Sequence, residues 1–257
     1  MNLTEPSMKK TKNILLFYLF FTSLFLIFSF LLIFTVSYVS KAREASLRPS
    51  LLYSTVVVID PGHGGEDSGA IGVNGALEKD VNLEMSKRLC SILSNRGITC
   101  ILTRSTDTLL YDKSSDYQGQ KKKLDMEERL RIVRSYRSAV FISIHQNSFP
   151  SEKYSGFAVY YSPNHQDSYL LAKGLEEGVR SALQNENDRV AKPSDGNIYL
   201  LDQLNSPAVL LECGFLSNRE ECAALCSEEY QAKLCLIFAD CIEEYINLKT
   251  QNGAPAL

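Results

Sequence analysis

From Asn13 to Ser40 the chain carries no charged residue, and most positions are Leu, Ile, Phe or Val. A helix needs about 20 apolar residues to cross the hydrocarbon of a bilayer, whereas the apolar part of a cleaved secretory signal runs to about 7–15. The stretch satisfies the first length, and no clean small-x-small cleavage site follows it. Lys9, Lys10 and Lys12 precede it and favour a cytoplasmic N-terminus, while Lys41 and Arg43 beyond it weaken that bias. The expectation is a transmembrane signal anchor over 13–40 behind a cytoplasmic basic segment, 1–12. A cleaved signal peptide is the alternative. In both cases the rest of the chain lies outside the cytoplasm: a polar linker over 41–54, a folded domain over 55–248 and a disordered tail over 249–257.

Charge narrows the partners of that domain. The chain holds 27 basic and 30 acidic residues, and its first 44 residues take five of the basic and two of the acidic ones, which leaves the remainder at −6. Phosphate backbones need clustered Lys and Arg, so no nucleic-acid partner is expected. The one basic run, Lys121-Lys122-Lys123, sits in polar sequence and reads as solvated surface. Seven cysteines, at 90, 100, 213, 222, 226, 235 and 241, contain no C-x-x-C pair. Most are read as buried free thiols, with a Cys90–Cys100 disulfide left open.

Beyond the linker, strand and helix patterns alternate. Val56 to Ile59 is a β-branched run of the kind buried on both faces of a sheet, and it runs into the loop Asp60-Pro61-Gly62-His63-Gly64-Gly65. Val81, Met85 and Leu89 predict a helix over about 80–96, followed by a strand over 98–102. Residues 105–123 are polar and read as a long surface loop. Asp125 and Glu128 resemble a capping box opening the next helix. Strands are predicted over 139–144, 156–161, 197–201 and 208–211. His145 stands at the end of the first of these and Glu212 at the end of the last. Leu171, Leu175, Val179 and Leu183 mark a helix; Asn218 with Glu221 caps a short one. A final helix starts at Ser227, with Tyr230, Leu234, Ile237, Cys241 and Tyr245 as its stripe. This alternation predicts an α/β fold, a mixed, mostly parallel β-sheet with helices on both faces. Sites in such folds form at the carboxyl ends of strands.

Three histidines exist, at 63, 145 and 165. A lone histidine at a strand end is usually a satisfied hydrogen-bonding group, and His165, in an evident turn, keeps that reading. His63 and His145 both fall at strand ends expected to share one edge of the sheet. Two imidazoles with one carboxylate form a common ligand set for a hydrolytic zinc with an open position for water. Glu78 is the leading carboxylate on chemistry alone, with Glu66, Asp67, Asp60 and Asp80 as rivals. Glu212 ends a strongly apolar strand, where a carboxylate is costly unless used or paired, and it suits a general base. A buried ion pair or a helix cap would explain it equally well. Cys213 should point away from Glu212 by strand alternation, which disfavours a Cys213/His145 nucleophile pair.

Four motifs in order, VVVIDPGHGG, LEKD, FISIHQN and VLLECGFLSN, resemble the zinc-dependent N-acetylmuramoyl-L-alanine amidases of the amidase-3 group, over residues 55 to about 247. The stretch from Asp188 to Asn218 is most similar to the germination-specific, spore-cortex branch. The resemblance implies Zn2+ as cofactor, with His63, Glu78 and His145 as ligands and Glu212 as the catalytic glutamate. It also implies a structural role for Arg129 of EERL, and Asn147 is carried as a substrate-binding candidate. The implied reaction is hydrolysis of the amide joining N-acetylmuramic acid to L-alanine in peptidoglycan, as in cortex maturation and germination. The alternatives are an inactive membrane-tethered peptidoglycan-binding module and a zinc peptidase cutting elsewhere in the stem peptide. An activating lipoprotein partner is a further expectation, as some relatives resemble enzymes that need one to hold zinc. One departure is the sequence before the second histidine, where relatives often carry an Asn; it concerns helix-end packing.

Overall fold

The computed structural model describes residues 5–52, 55–112, 114 and 119–251, with side chains described from residue 13 to 39 and from 55 onward. It divides into two compact units, Met1–Ser50 and Leu51–Leu257. In the first, one helix, α1, runs over Glu5–Leu52. Its Asn13–Val39 stretch, with mean hydropathy 2.6, is long and apolar enough to cross a bilayer, and none of it is buried within the protein. The helix continues past Ser40, so most of the expected linker has helical backbone. Residues 1–4, 53–54 and 252–257 of the expected segments lie outside the described residues, as do 113 and 115–118 of the expected loop.

The second unit is built on a six-stranded sheet. Its strands are β1 (Val56–Pro61), β2 (Cys100–Leu102), β3 (Ala139–Asn147), β4 (Ala158–Tyr161), β5 (Lys192–Pro193) and β6 (Ala208–Phe215), in spatial order β2-β1-β3-β6-β4-β5. Every adjacent pair is parallel except β4 and β6. This is the mixed, mostly parallel sheet the alternating sequence predicts. Helices α2 (Glu78–Asn95), α4 (Gln166–Leu183) and α7 (Glu228–Gln251) bury Met85, Leu89, Leu171, Leu175, Phe238 and Ile242 against one face. Helices α3 (Lys121–Arg134) and α5 (Tyr199–Gln203) cover part of the other with Leu130, Val133, Leu200 and Leu201. Short α6 (Arg219–Leu225) follows β6, with Asn218 as its N-cap accepting from the amides of Glu220 and Glu221.

Four local expectations change. Asn197–Leu201 is no strand: its second half belongs to α5, because Leu200, Leu201 and Leu204 turn together into the smaller core. The apolar run was too short to reveal its period. The helix expected to open at an Asp125–Glu128 capping box starts four residues earlier, at Lys121 after Gln120. The Asp125 carboxylate instead accepts from the amide of Leu110 and the guanidinium of Arg129. Glu221 does not close a box with Asn218 but accepts from the amides of Gly156 and Phe215. On α7 the fully buried stripe passes through Leu234, Cys235, Phe238, Ile242 and Ile246, leaving Tyr230, Ile237 and Cys241 half-buried. All seven cysteines are free; Cys213, Cys222 and Cys235 are buried and Cys226 is exposed.

Candidate active site

Strands β3 and β6 run further than their apolar stretches predict, and His145 and Glu212 fall opposite each other in register within them. Both side chains line a cavity of about 320 Å3 on the face of the sheet that carries α3 and α5. His63 reaches the same cavity from the loop after β1. Glu78, the first residue of α2, completes the group from beneath.

The three residues converge closely. One ligand atom from each of His63, Glu78 and His145 lies within 4.8 Å of the others. Glu78 Oε1 is 3.0 Å from His145 Nδ1 and 3.2 Å from His63 Nε2, and the two imidazole rings meet edge-on with centroids 5.0 Å apart. Among the five acids open on sequence grounds, four now have distinct surroundings. Asp60 is paired with Arg129, Glu66 with Lys121, and Asp67 lies against the outer nitrogen of His63. Glu78 alone of these touches both rings.

Its carboxylate is held at every side. Oε2 accepts from the amide of Ala70 at 2.8 Å, and Oε1 accepts from the amide of Gln146 at 3.1 Å and from Asn82 Nδ2 at 3.3 Å. Burial pushes the Glu78 carboxyl up, but the two histidines outweigh it and hold it well below the usual carboxylate range. The packing leaves no spare room. A Cβ on Gly62 would lie 2.2 Å from the His145 ring, and one on Gly69, whose φ is +63°, would lie 2.5 Å from Glu78 Oε2. Only glycine permits both approaches.

His63 itself adopts φ +62°, the left-handed region that side chains rarely occupy, so its loop needs external support. Two guanidiniums provide it. Arg129, fully buried, donates to the carbonyls of Pro61 and His63, each at 2.8 Å. Arg104 donates to the carbonyls of Pro61 at 3.0 Å and Gly62 at 2.9 Å. Arg129 is balanced by Asp60 and Asp125, and Thr103 and Ser143 donate to Asp60. Motif reading assigned Arg129 a structural part without saying what it holds; Arg104 carried no sequence signal.

Glu212 stands apart. Its Oε2 is buried without a hydrogen-bond partner. Burial pushes its carboxyl up to about 7, with His145 and His63 opposing and Glu78 adding to the rise. A carboxyl poised near neutral pH beside a cluster of metal-binding type can take a proton and return it. Cys213 is buried in the opposite core, so no thiol enters the cavity from β6. His165 caps α4, its ring accepting from the amide of Asp167. Asn147 pairs with Phe215, and its side chain accepts from the amide of Ser148 at 2.8 Å; it is not among the cavity's lining residues. The cavity is lined as well by Asn197, Ile198 and Tyr199, with Lys122 and Met126 on α3.

Known proteins resemble this chain in both sequence and fold. A family model described as N-acetylmuramoyl-L-alanine amidase matches residues 57–244. The germination-specific N-acetylmuramoyl-L-alanine amidase of Bacillus subtilis is 35% identical over 204 residues, 79% of this chain and 84% of the relative. The CwlD amidase from Clostridioides difficile, solved in complex with the GerS lipoprotein, superposes with a TM-score of 0.71 at 36% identity, over 75% of this chain and 98% of that one. The AmiC2 amidase of Nostoc punctiforme gives a TM-score of 0.64 at 32% identity, over 76% and 98% of the two chains.

Proposed function

This chain belongs to the N-acetylmuramoyl-L-alanine amidase family, and we propose that it hydrolyses the amide between N-acetylmuramic acid and L-alanine in peptidoglycan, using zinc held by His63, Glu78 and His145. The observation that carries the reading is the convergence of those three side chains in one cavity with the unpartnered carboxylate of Glu212. The donor set suits zinc: two imidazoles and one carboxylate leave a position open, whereas calcium or magnesium takes more oxygen ligands. When bound, zinc supplies Lewis-acid polarisation of the amide carbonyl and acidifies a water.

The protein's own groups do the rest. Glu212 accepts the proton of the attacking water at Oε2 and returns it to the departing amine of L-alanine. Its burial keeps the carboxyl near neutral poise, so both transfers run without a strong acid or base. Arg129 and Arg104 hold the carbonyls of the His63 loop, which keeps the Nε2 of His63 turned toward Glu78. Met126, Ile198 and Leu200 line the same cavity and offer apolar surface to a substrate.

The name of the Bacillus subtilis relative points to germination as the process, and the spore cortex is the substrate this reading assigns. We take residues 55–248 as the amidase domain. The apolar span of α1 serves as a membrane anchor that leaves this domain on the outer side, facing the wall. A lipoprotein partner comparable to that of the C. difficile amidase is part of the same proposal.

The test is digestion of purified peptidoglycan by the full chain with zinc, followed by identification of the new amino termini. L-alanine termini are expected, and Glu212→Gln should lower their release about a hundred- to ten-thousand-fold. Termini of any other residue would make the protein a peptidase, and undiminished release by Glu212→Gln would remove Glu212 from the chemistry.

A further inference from the structure

Asp67 is one of the acids that sequence leaves open as a metal ligand, and the fold gives it another position. Its Oδ2 lies 3.0 Å from Nδ1 of His63, on the side of the ring away from Glu78. The opposite nitrogen, Nε2, is the one that faces the ligand cluster. The segment carrying Asp67 is fastened to the His63 loop: the amides of Gly64 and Asp67 each donate to the other's carbonyl at 3.0 Å. The second carboxylate oxygen, Oδ1, accepts from the amide of Gly69 at 3.2 Å. Asp67 is thus held at its backbone and at one oxygen, with the other oxygen left toward the ring.

Nδ1 of His63 is buried and has no aligned hydrogen bond despite this short distance. The 3.0 Å separation from Asp67 Oδ2 lies within the range of an N–H···O hydrogen bond. A neutral imidazole carries one proton. With that proton on Nδ1 and shared with Asp67, Nε2 keeps its lone pair for a metal. Metal-ligating histidines generally have such an acceptor on the far nitrogen, and its loss weakens metal binding about 10- to 100-fold.

We propose that Asp67 is a positioning residue that fixes the Nδ1–H tautomer of His63 and thereby sets the zinc affinity of the site. The proposal rests on the metal reading above and adds a residue outside the three ligands. His145 presents the contrast. Its Nδ1 is the nitrogen turned to Glu78, and no carboxylate is found against its other nitrogen among the described residues. The dependence on a carboxylate should therefore belong to His63 alone.

The test uses the full chain in detergent and two variants, with zinc affinity measured by competition against a chromophoric chelator. Asp67→Asn keeps the shape. If its oxygen retains the Gly69 contact, its NH2 group faces Nδ1 and favours the opposite tautomer, with the proton on Nε2. Asp67→Ala removes the acceptor altogether. Both are expected to bind zinc about 10- to 100-fold more weakly than the wild type, with the metal-free protein keeping the far-ultraviolet circular dichroism of the folded wild type. The 15N shifts of the His63 ring, resolvable among three histidines, should show Nδ1 protonated in the wild type and a mixture of tautomers in Asp67→Ala. Wild-type zinc binding with equal affinity in both variants would overturn the role of Asp67 and leave the metal site standing. Absence of zinc binding by the wild type would overturn the metal reading and this inference together.

Discussion

The two faces of the central sheet are made by the same strands and could hardly differ more. On one face β3 offers Val140, Ile142 and Ile144 and β6 offers Val209, Leu211 and Cys213, all buried in the larger core beneath α2, α4 and α7. On the other, the intervening residues begin as core, with Phe141, Ala208 and Leu210, and end as Ser143, His145 and Glu212 along the cavity. Strand alternation alone separates them. The apolar face is a store of stability. The polar face keeps the buried charges Asp60 and Arg129 and the partnerless carboxylate of Glu212, features that cost free energy unless they are used. The contrast teaches where to look for function in such a fold: on the face where alternating strand residues stop being apolar before the strand ends.

Substitutions should separate the faces. Arg129→Ala leaves Asp60 and Asp125 buried without their counter-charge and releases the His63 loop. It should cost about 3–5 kcal/mol in denaturant unfolding and lower zinc affinity as well. Ile142→Ala, on the apolar face, should cost about 2–5 kcal/mol while leaving zinc affinity unchanged. A loss of zinc binding in Ile142→Ala, or a purely structural effect of Arg129→Ala, would break the comparison.

Acid titration provides a smaller effect. Burial raises the Asp60 carboxyl, but the Arg129 charge and the bonds from Thr103, Arg129 and Ser143 outweigh it and hold the carboxyl below its ordinary value of 3.8. A carboxyl depressed in the folded state contributes stability that is present above the unfolded value and lost as pH falls through the folded one. Asp60→Asn should therefore be less stable than the wild type at neutral pH, with the gap narrowing below pH 3.8. A gap that widens in acid would contradict the sign. Thermal midpoints measured down to about pH 2 decide it.

Much of this was legible beforehand, for identifiable reasons. Apolar runs marked the three central strands, that of β1 being β-branched throughout, and the glycine loop after β1 marked the place of His63. The scarcity of histidine made His63 and His145 stand out. The choice of carboxylate was not readable from chemistry. It depends on which acid the turn from β1 into α2 carries under the rings, a tertiary fact that only the motif resemblance anticipated. The partners of the loop carbonyls were equally hidden, because Arg104 and Arg129 lie 42 and 66 residues from Gly62 and His63 respectively. The segment at 197–201 was misjudged as a strand because a single helical turn shows no period. That segment also lines the cavity.

The most direct test of the account is metal dependence followed on one preparation of the full chain. Zinc content and release of L-alanine amino termini from peptidoglycan are measured before and after chelation, and again in His63→Ala. The account expects one zinc per chain, with metal and activity lost together on chelation, restored together by zinc, and both absent in His63→Ala. Release of L-alanine termini that persists after zinc is removed, or zinc retained undiminished in His63→Ala, would contradict it.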